Sequence, residues 1–386
     1  MSTSHKYADY KDIDQKQLEI DIDKIKEELE TPNIKDFKHL KKLEMWGDIS
    51  LVLGFALMIT LMYSDYNMLI NIILLIGSSF LISVSNVSIW ANVAHPILHG
   101  AYDKIEGIPE KYKKKNFAKG NRRWFDWFDW IKPEAWVYEH NIMHHYHLGE
   151  ADDPDNVEKN MVWLHKSKIP MWMKYAFVYV FAATWKFTYY APNTLRILGN
   201  KEKIANKEEP TMDYEMSPLS NNGKKLWLEY YLPYGIFKFI LMPSIFLVFG
   251  IDIALIALYV MIISELFANL HSFLVIVPNH SAEDIYQFST PHKNQGEYYL
   301  RQIMGSVNYN TGTDLIDFGH GFLNYQIEHH LFPNMPHSFY QKMQPKVKEI
   351  CKKHNLEYRQ DSVFKRFFMS VDLMVGKTKV LRVEGI

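Results

Sequence analysis

Cysteine is almost missing. Cys351 is the only one in 386 residues, which excludes a disulfide framework and any cysteine-ligated zinc or iron–sulfur centre. A surplus of either charge is missing too: the formal net charge is -1, so nothing pulls the chain onto nucleic acid and no such partner is expected. Residues 1–46 are charged throughout and hold no apolar core, so no cleavable secretory signal is expected there. No internal repeat of domain-building length is visible, nor any low-complexity tract. No Glu-x-x-His pair occurs, which removes the carboxylate-rich di-iron bundle from consideration.

What is present is segregated. Residues 11–47 read as an amphipathic helix, solvated or interfacial, with Leu18, Ile20, Ile22, Ile25 and Leu29 among charged neighbours and a break at Thr31-Pro32-Asn33. Four apolar stretches follow, at Ile49–Tyr63, Met68–Ala91, Tyr231–Gly250 and Ile251–Val277. A spanning helix needs about 20 apolar residues, so the first must extend beyond its ends. Ser64-Asp65-Tyr66-Asn67 and Gly250-Ile251-Asp252 join them in two pairs and carry no Lys or Arg, whereas the flanks carry many. The positive-inside bias therefore predicts both turns outside and both termini in the cytosol. The expected fold is all-α: a multi-pass integral membrane protein with four spans in two hairpins and a cytosolic helical cap. The chain divides at 47/48 into an N-terminal helical region, 1–47, and a membrane domain, 48–386. Lys238 must snorkel or face protein, and Glu265 must face the bundle interior. A fifth apolar stretch, Tyr175–Ala191, is rich in aromatics and has Lys186 near its centre, which suits a helix lying in the interface. Trp124, Trp127 and Trp130 read either as another interfacial patch or as packing.

Histidine supplies the chemistry. His95 and His99 form one cluster, His140, His144 and His145 a second, and His329 and His330 a third, with His280 directly after the fourth span. On a helix, i and i+4 lie about 40° apart, so His95/His99 and His140/His144 can each face one site, with His145 turned about 100° away. Adjacent histidines such as His329 and His330 serve two ions better than one. Pro96 frees the carbonyl of Asn92, so a kink is expected there. Gln326 lies one turn before His329 and His330 and can face the same ions. His320 reads as a supporting or structural residue rather than a ligand, His147 and His337 as surface or supporting histidines beside the clusters, His271 as a residue with a polar partner in the bilayer, and His5, His39, His165, His292 and His354 carry no signal. Eight imidazoles exceed one tetrahedral zinc site and match two ions of higher coordination. Iron is preferred because it activates dioxygen beside a membrane full of hydrocarbon chains.

These clusters resemble the three histidine boxes of the membrane fatty-acid desaturase superfamily. The run Gly319-His320-Gly321-Phe322-Leu323-Asn324-Tyr325-Gln326-Ile327-Glu328-His329-His330 is most similar to its front-end branch, as are Asp153-Pro154-Asp155 and Pro278-Asn279-His280. The resemblance covers roughly Ile49 to Tyr358. It implies an O2-dependent acyl desaturase that forms a cis double bond between an existing one and the carboxyl end. It implies a di-iron centre held by the eight histidines, with Gln326 as a catalytic-site residue that orients a ligand, binds a water or coordinates weakly. The implied partners are a fatty acyl substrate, as acyl-CoA or acyl-lipid, and membrane lipid. Many front-end enzymes carry a fused cytochrome b5 domain with a His-Pro-Gly-Gly signature, which this sequence lacks. Electrons are therefore expected from a separate carrier, such as cytochrome b5 or ferredoxin with its reductase. Hydroxylation or acetylenation on the same scaffold is the sister reading, and a membrane metal-binding or transport protein is the alternative of another class. Transport ligands would lie near mid-membrane on broken helices, away from where most of these clusters fall. Apolar side chains from the spans are expected to shape a tunnel for the acyl chain.

Overall fold

The computed structural model describes residues 10–383. It is mostly helical, and four of the described helices are long and apolar enough to cross a membrane. Helix α1 (Gln15–Glu28) ends before Pro32, and α2 (Ile34–Met62) begins on an Asn33 cap. There Asn33 Oδ1 accepts from Lys35 N–H and Asp36 Oδ2 accepts from Asn33 N–H, both at 2.9 Å. The first span therefore starts well before Ile49, and the helix runs unbroken through residues 47 and 48. Helix α1 is amphipathic, with Lys16, Lys24 and Glu27 exposed. Its buried face of Leu18, Ile22 and Ile25 packs with Leu300, Ile303 and Phe339.

Helix α3 (Met68–Leu98) lies along α2 with small residues between them. A Cβ on Gly54 would come within 2.7 Å of Ile82 Cγ1 and 3.1 Å of the Ser78 carbonyl, so only glycine permits this approach. The chain continues through α4 (133–147), α5 (Met171–Ala182) and α6 (186–199). The other two long helices are α7 (Asn221–Phe249) and α8 (Ile251–Asn279). Val52, Leu69, Ile73, Val248 and Ile251 each expose more than half their area outward, which fits hydrocarbon rather than water as the surrounding solvent. The remaining helices used below are α9 (Gln295–Met304), α10 (Gln326–Leu331), α11 (His337–Lys353) and α12 (Val363–Met374).

Three expectations need correction. The 175–191 stretch is not one helix: α5 ends at Ala182, and after a break at 183–184 the chain re-enters helix with Lys186 buried. The all-α reading omits two parallel strand pairs. β1 (Tyr286–Phe288) pairs with β4 (Leu381–Val383), and β2 (Asn308–Tyr309) pairs with β3 (Gln360–Asp361), tying the C-terminal segment to the loops after α8. The expected Pro96 kink is instead a wide turn over Ile89–Ala94, in which His95 N–H bonds the Trp90 carbonyl five residues back. The tryptophan patch divides: Trp127 and Trp130 are core, while Trp124 is exposed.

Candidate metal centre and cavity

The local helix geometry decides which histidines meet. His95 and His99 follow the wide turn in ordinary α-helical hydrogen bonding, with His99 N–H on the His95 carbonyl at 3.1 Å. They share a face as their spacing predicts. In α4 the stretch Val137–His144 is π-helical, and His145 N–H bonds the His140 carbonyl. The wider turn aligns i with i+5, so His140 sits with His145 and not chiefly with His144. The i,i+4 pairing expected from the sequence is displaced for that reason.

Two groups result. Candidate ligand atoms of His95, His99, His140, His145 and His329 lie within 4.8 Å of one another, and so do those of His144, His280 and His330. The adjacent pairs His144/His145 and His329/His330 each divide between the groups. A third combination, His140, His144 and Asp155, overlaps both. His140 Nε2 stands 3.1 Å from His95 Nε2 and 3.3 Å from His145 Nε2. The rings of His145 and His330 stack at 4.3 Å, placing the two groups side by side.

The electrostatics suit ligation. Burial, reinforced by neighbouring imidazoles, holds His99, His140, His145, His329 and His330 well below the usual histidine value. His280 is brought to about 3 by the same causes. All six are neutral at physiological pH and offer lone pairs. In the smaller group every Nδ1 is held as a donor. Asp153 Oδ1 accepts from His144 at 3.0 Å, the Gly305 carbonyl from His280 at 2.9 Å, and Gln302 Oε1 from His330 at 2.8 Å. Burial opposes charge on His144, but the Asp153 carboxylate outweighs it and raises its pKa. His329 Nδ1 meets the Tyr340 hydroxyl at 3.0 Å. That leaves the Nε2 atoms of His99, His329 and His330 buried without a partner, an arrangement that costs free energy unless an ion takes them. The donor set is nitrogen and carboxylate with no thiolate, and it fits an iron-dependent site.

Gln326 lies at the smaller group. Its Nε2 is 2.8 Å from His280 Nε2, and its Oε1 accepts from Asn279 Nδ2 at 3.1 Å. The other histidines sort as follows. His271 bonds the Gly319 carbonyl, His320 the Ile316 carbonyl, and His147 the Glu150 carboxylate. His337 is buried and stacked on Phe322. His292, which carried no signal, lies 3.2 Å from Glu150, whose carboxylate is ion-paired with the buried Arg301. Sequence reasoning missed Gln302 and Tyr340, which lie far from the boxes in the chain. Asp153 was visible in Asp153-Pro154-Asp155, though without its role.

A cavity of about 510 Å³ reaches both groups, touching His95, His140, His144, His280 and Gln326. Its wall is rich in aromatic residues, most of them from residues 157–193, with Trp90 of α3 and Phe273 of α8. The expectation of a tunnel shaped by the spans is thus corrected. Elements between the spans build most of it, because the aromatic 175–191 stretch folds inward after its break.

Four long apolar helices and buried histidine groups opening on an aromatic cavity define a metal-dependent membrane protein. The model of the fatty acid desaturase family matches residues 70–362, and the chain belongs to that family. Among its relatives, it is 24% identical over 277 residues to an NADPH-dependent stearoyl-CoA 9-desaturase of Mycobacterium tuberculosis, covering 70% of this chain and 60% of that protein. It is 25% identical over 328 residues to an acyl-lipid (7-3)-desaturase of Rebecca salina, covering 81% and 65%. A delta(5) fatty acid desaturase A of Dictyostelium discoideum is 36% identical over 98 residues, covering 24% and 21%. Each match spans less than two thirds of the relative's own length.

Proposed function

We propose that the protein is an oxygen-dependent fatty acyl desaturase, of the front-end type, forming a cis double bond in an acyl chain. The observation that carries this reading is the pair of neutral imidazole groups at the end of an aromatic cavity, in a chain of the desaturase family. One iron would be held by His95, His99, His140, His145 and His329, and a second by His144, His280 and His330 with Gln326 beside it. When bound, the iron pair supplies O2 activation and the removal of hydrogen from two adjacent methylenes. The chain's own residues do the rest. Asp153, Gly305 and Gln302 fix the imidazoles of the smaller group through their Nδ1 atoms, and the aromatic wall holds an alkyl chain and keeps water out. In this reading electrons arrive from a separate carrier such as cytochrome b5 or ferredoxin. The four spans form two hairpins whose turns, free of Lys and Arg, lie outside, with the histidines and both termini at the cytosolic face. Hydroxylation, acetylenation and metal transport are not favoured by the family the chain belongs to.

The test is expression in yeast fed defined fatty acids, with gas chromatography of products and metal analysis of the purified protein. The expected outcome is a new cis-unsaturated acid and about two irons per chain, the count implied by the two groups. Alanine at any of the seven box histidines should abolish product while membrane insertion persists. One zinc and no iron after anaerobic purification would overturn the reading.

A further inference from the structure

The cavity lining combines exposed aromatics with a cation. Trp163 and Phe177, both partly exposed, meet edge to face at 5.1 Å at its mouth, and Phe177 stacks towards Phe181 at 6.0 Å. The aromatic line continues through Phe181–Tyr189 at 6.2 Å and Tyr189–Tyr214 at 6.5 Å. Arg196 also lines the cavity. Its guanidinium forms no ion pair among the described residues; Nη2 donates to Asn193 Oδ1 at 2.8 Å. Asn193 is 2% exposed, lines the same cavity, and its Nδ2 has no hydrogen-bond partner. The buried Asn193 amide donor is costly unless a ligand accepts from it, and the half-buried guanidinium beside it can join in that contact. The carboxylate on the cavity wall, Asp155, lies at the histidine end beside His144 and does not neutralise Arg196.

The aromatic mouth continues onto an outward surface. Trp172 and Val180 of α5, with Phe364 and Phe368 of α12, are all more than half exposed. The two helices meet through Tyr179 and Phe367, and both pack on Phe273 near the C-terminal end of α8, two turns before His280. Lys166 and Lys168 stand exposed just before α5. An apolar face with lysines at its edge, at the end of a spanning helix, has the composition of a surface seated in the bilayer interface.

We infer that the acyl substrate is a membrane phospholipid. Its tail enters from the bilayer between Trp163 and Phe177, while its phosphate and ester oxygens accept from Arg196 and Asn193. The inference rests on the desaturase reading and names the carrier for the same cavity. A soluble acyl-CoA also carries phosphates, but it does not account for the continuity between the mouth and the exposed apolar face.

The experiment uses the full chain in phosphatidylcholine vesicles, with photolabelling mapped by peptide mass spectrometry. One arm carries a diazirine in the acyl chain of phosphatidylcholine within the vesicle. The other adds the same diazirine acyl chain as its CoA thioester from solution. The phospholipid probe should label the cavity wall around Phe181 and Trp185, and more strongly than the thioester. Arg196→Gln should cut that labelling about tenfold, the scale of one charge-assisted hydrogen bond. Asn193→Asp, which keeps the shape and places a carboxylate against the phosphate, should cut it too; Arg196→Lys should retain more than Arg196→Gln. Stronger cavity labelling by the thioester, labelling confined to the Trp172 and Val180 face, or labelling indifferent to both substitutions would each overturn the inference. Because labelling needs no turnover, a labelled protein that forms no double bond would remove the desaturase reading alone. An active protein whose cavity the phospholipid never reaches would remove only this one.

Discussion

Gln326 is the residue at which the two histidine groups differ most. His280 donates through Nδ1 to the Gly305 carbonyl, so its Nε2 carries the lone pair that faces the Gln326 amide at 2.8 Å. An ion taking that lone pair must displace the amide N–H, and the side chain can answer by turning its carbonyl inward. Asn279, which now donates to Gln326 Oε1 at 3.1 Å, restrains that turn. Gln326 thus offers a weak neutral donor where an imidazole would close the coordination sphere. Gln326→Ala should lower iron from about two per chain towards one and lose nearly all product, a loss of the size usual for groups supporting a metal. Gln326→His should keep part of both, and His280→Ala should be as damaging as a box mutant. His320→Ala should stay active, since His320 bonds only the Ile316 carbonyl outside both groups. Metal analysis with product chromatography reads all four variants, and normal turnover by Gln326→Ala would remove the residue from the site.

At the scale of elements, the site depends on irregular helix rather than regular helix. The wide turn at Ile89–Ala94 orients His95 and His99, and the π stretch Val137–His144 brings His140 to His145. The third box is set by a turn of left-handed residues: Gly321 has φ 64° and Phe322 has φ 58°. A Cβ on Gly321 would lie 2.5 Å from Ala91 Cβ, inside the wide turn of α3. The loop before α10 therefore rests directly on the turn that aims the first box. Gly321→Ala should force them apart and cost about 1–3 kcal/mol through backbone strain and overpacking. The variant should melt lower and bind less iron although no ligand has changed; unchanged iron content would show that the contact does not position the boxes. The histidine clusters were legible in the sequence because ligand spacing is short-range. The grouping of His140 was not, because i,i+4 reasoning assumes 3.6 residues per turn and nothing local in Val137–His144 announces the wider one. Gln302, Tyr340, Asn193 and Arg196 were illegible for another reason: their roles depend on partners or walls brought together only by the fold.

At the scale of the whole molecule, the spans and the elements that carry the cavity must hold a fixed relation, and a buried ion cluster does this. Lys186 of α6 is 2.8 Å from Asp129 and 3.9 Å from Glu265 of α8, which in turn lies 2.5 Å from Lys238 of α7. Trp130 Nε1 and Tyr234 OH also donate to Glu265, at 2.7 and 2.9 Å. Asn269 of α8 binds the next layer, its Oδ1 accepting from Lys186 N–H and its carbonyl from Trp185 Nε1, both at 2.9 Å. The sequence marked Lys238 and Glu265 as polar residues needing an explanation, but it placed Lys186 at an interface; the fold instead makes it the link between α6 and α8. Two cations and two carboxylates leave the cluster neutral, and each charge depends on the others for its solvation. Lys186→Met removes one cation and strands Asp129 in a medium that cannot hydrate it, while Glu265 keeps Lys238. The expected cost is about 3–5 kcal/mol. Lys186→Met with Asp129→Leu restores neutrality and should recover much of that loss, since the burial penalty follows unpaired charge rather than the absence of a pair. Thermal unfolding in detergent, followed by tryptophan fluorescence, separates the outcomes. A single mutant that melts with the parent protein, or a double mutant that melts below the single one, would show that the cluster does not join the spans to the cavity wall.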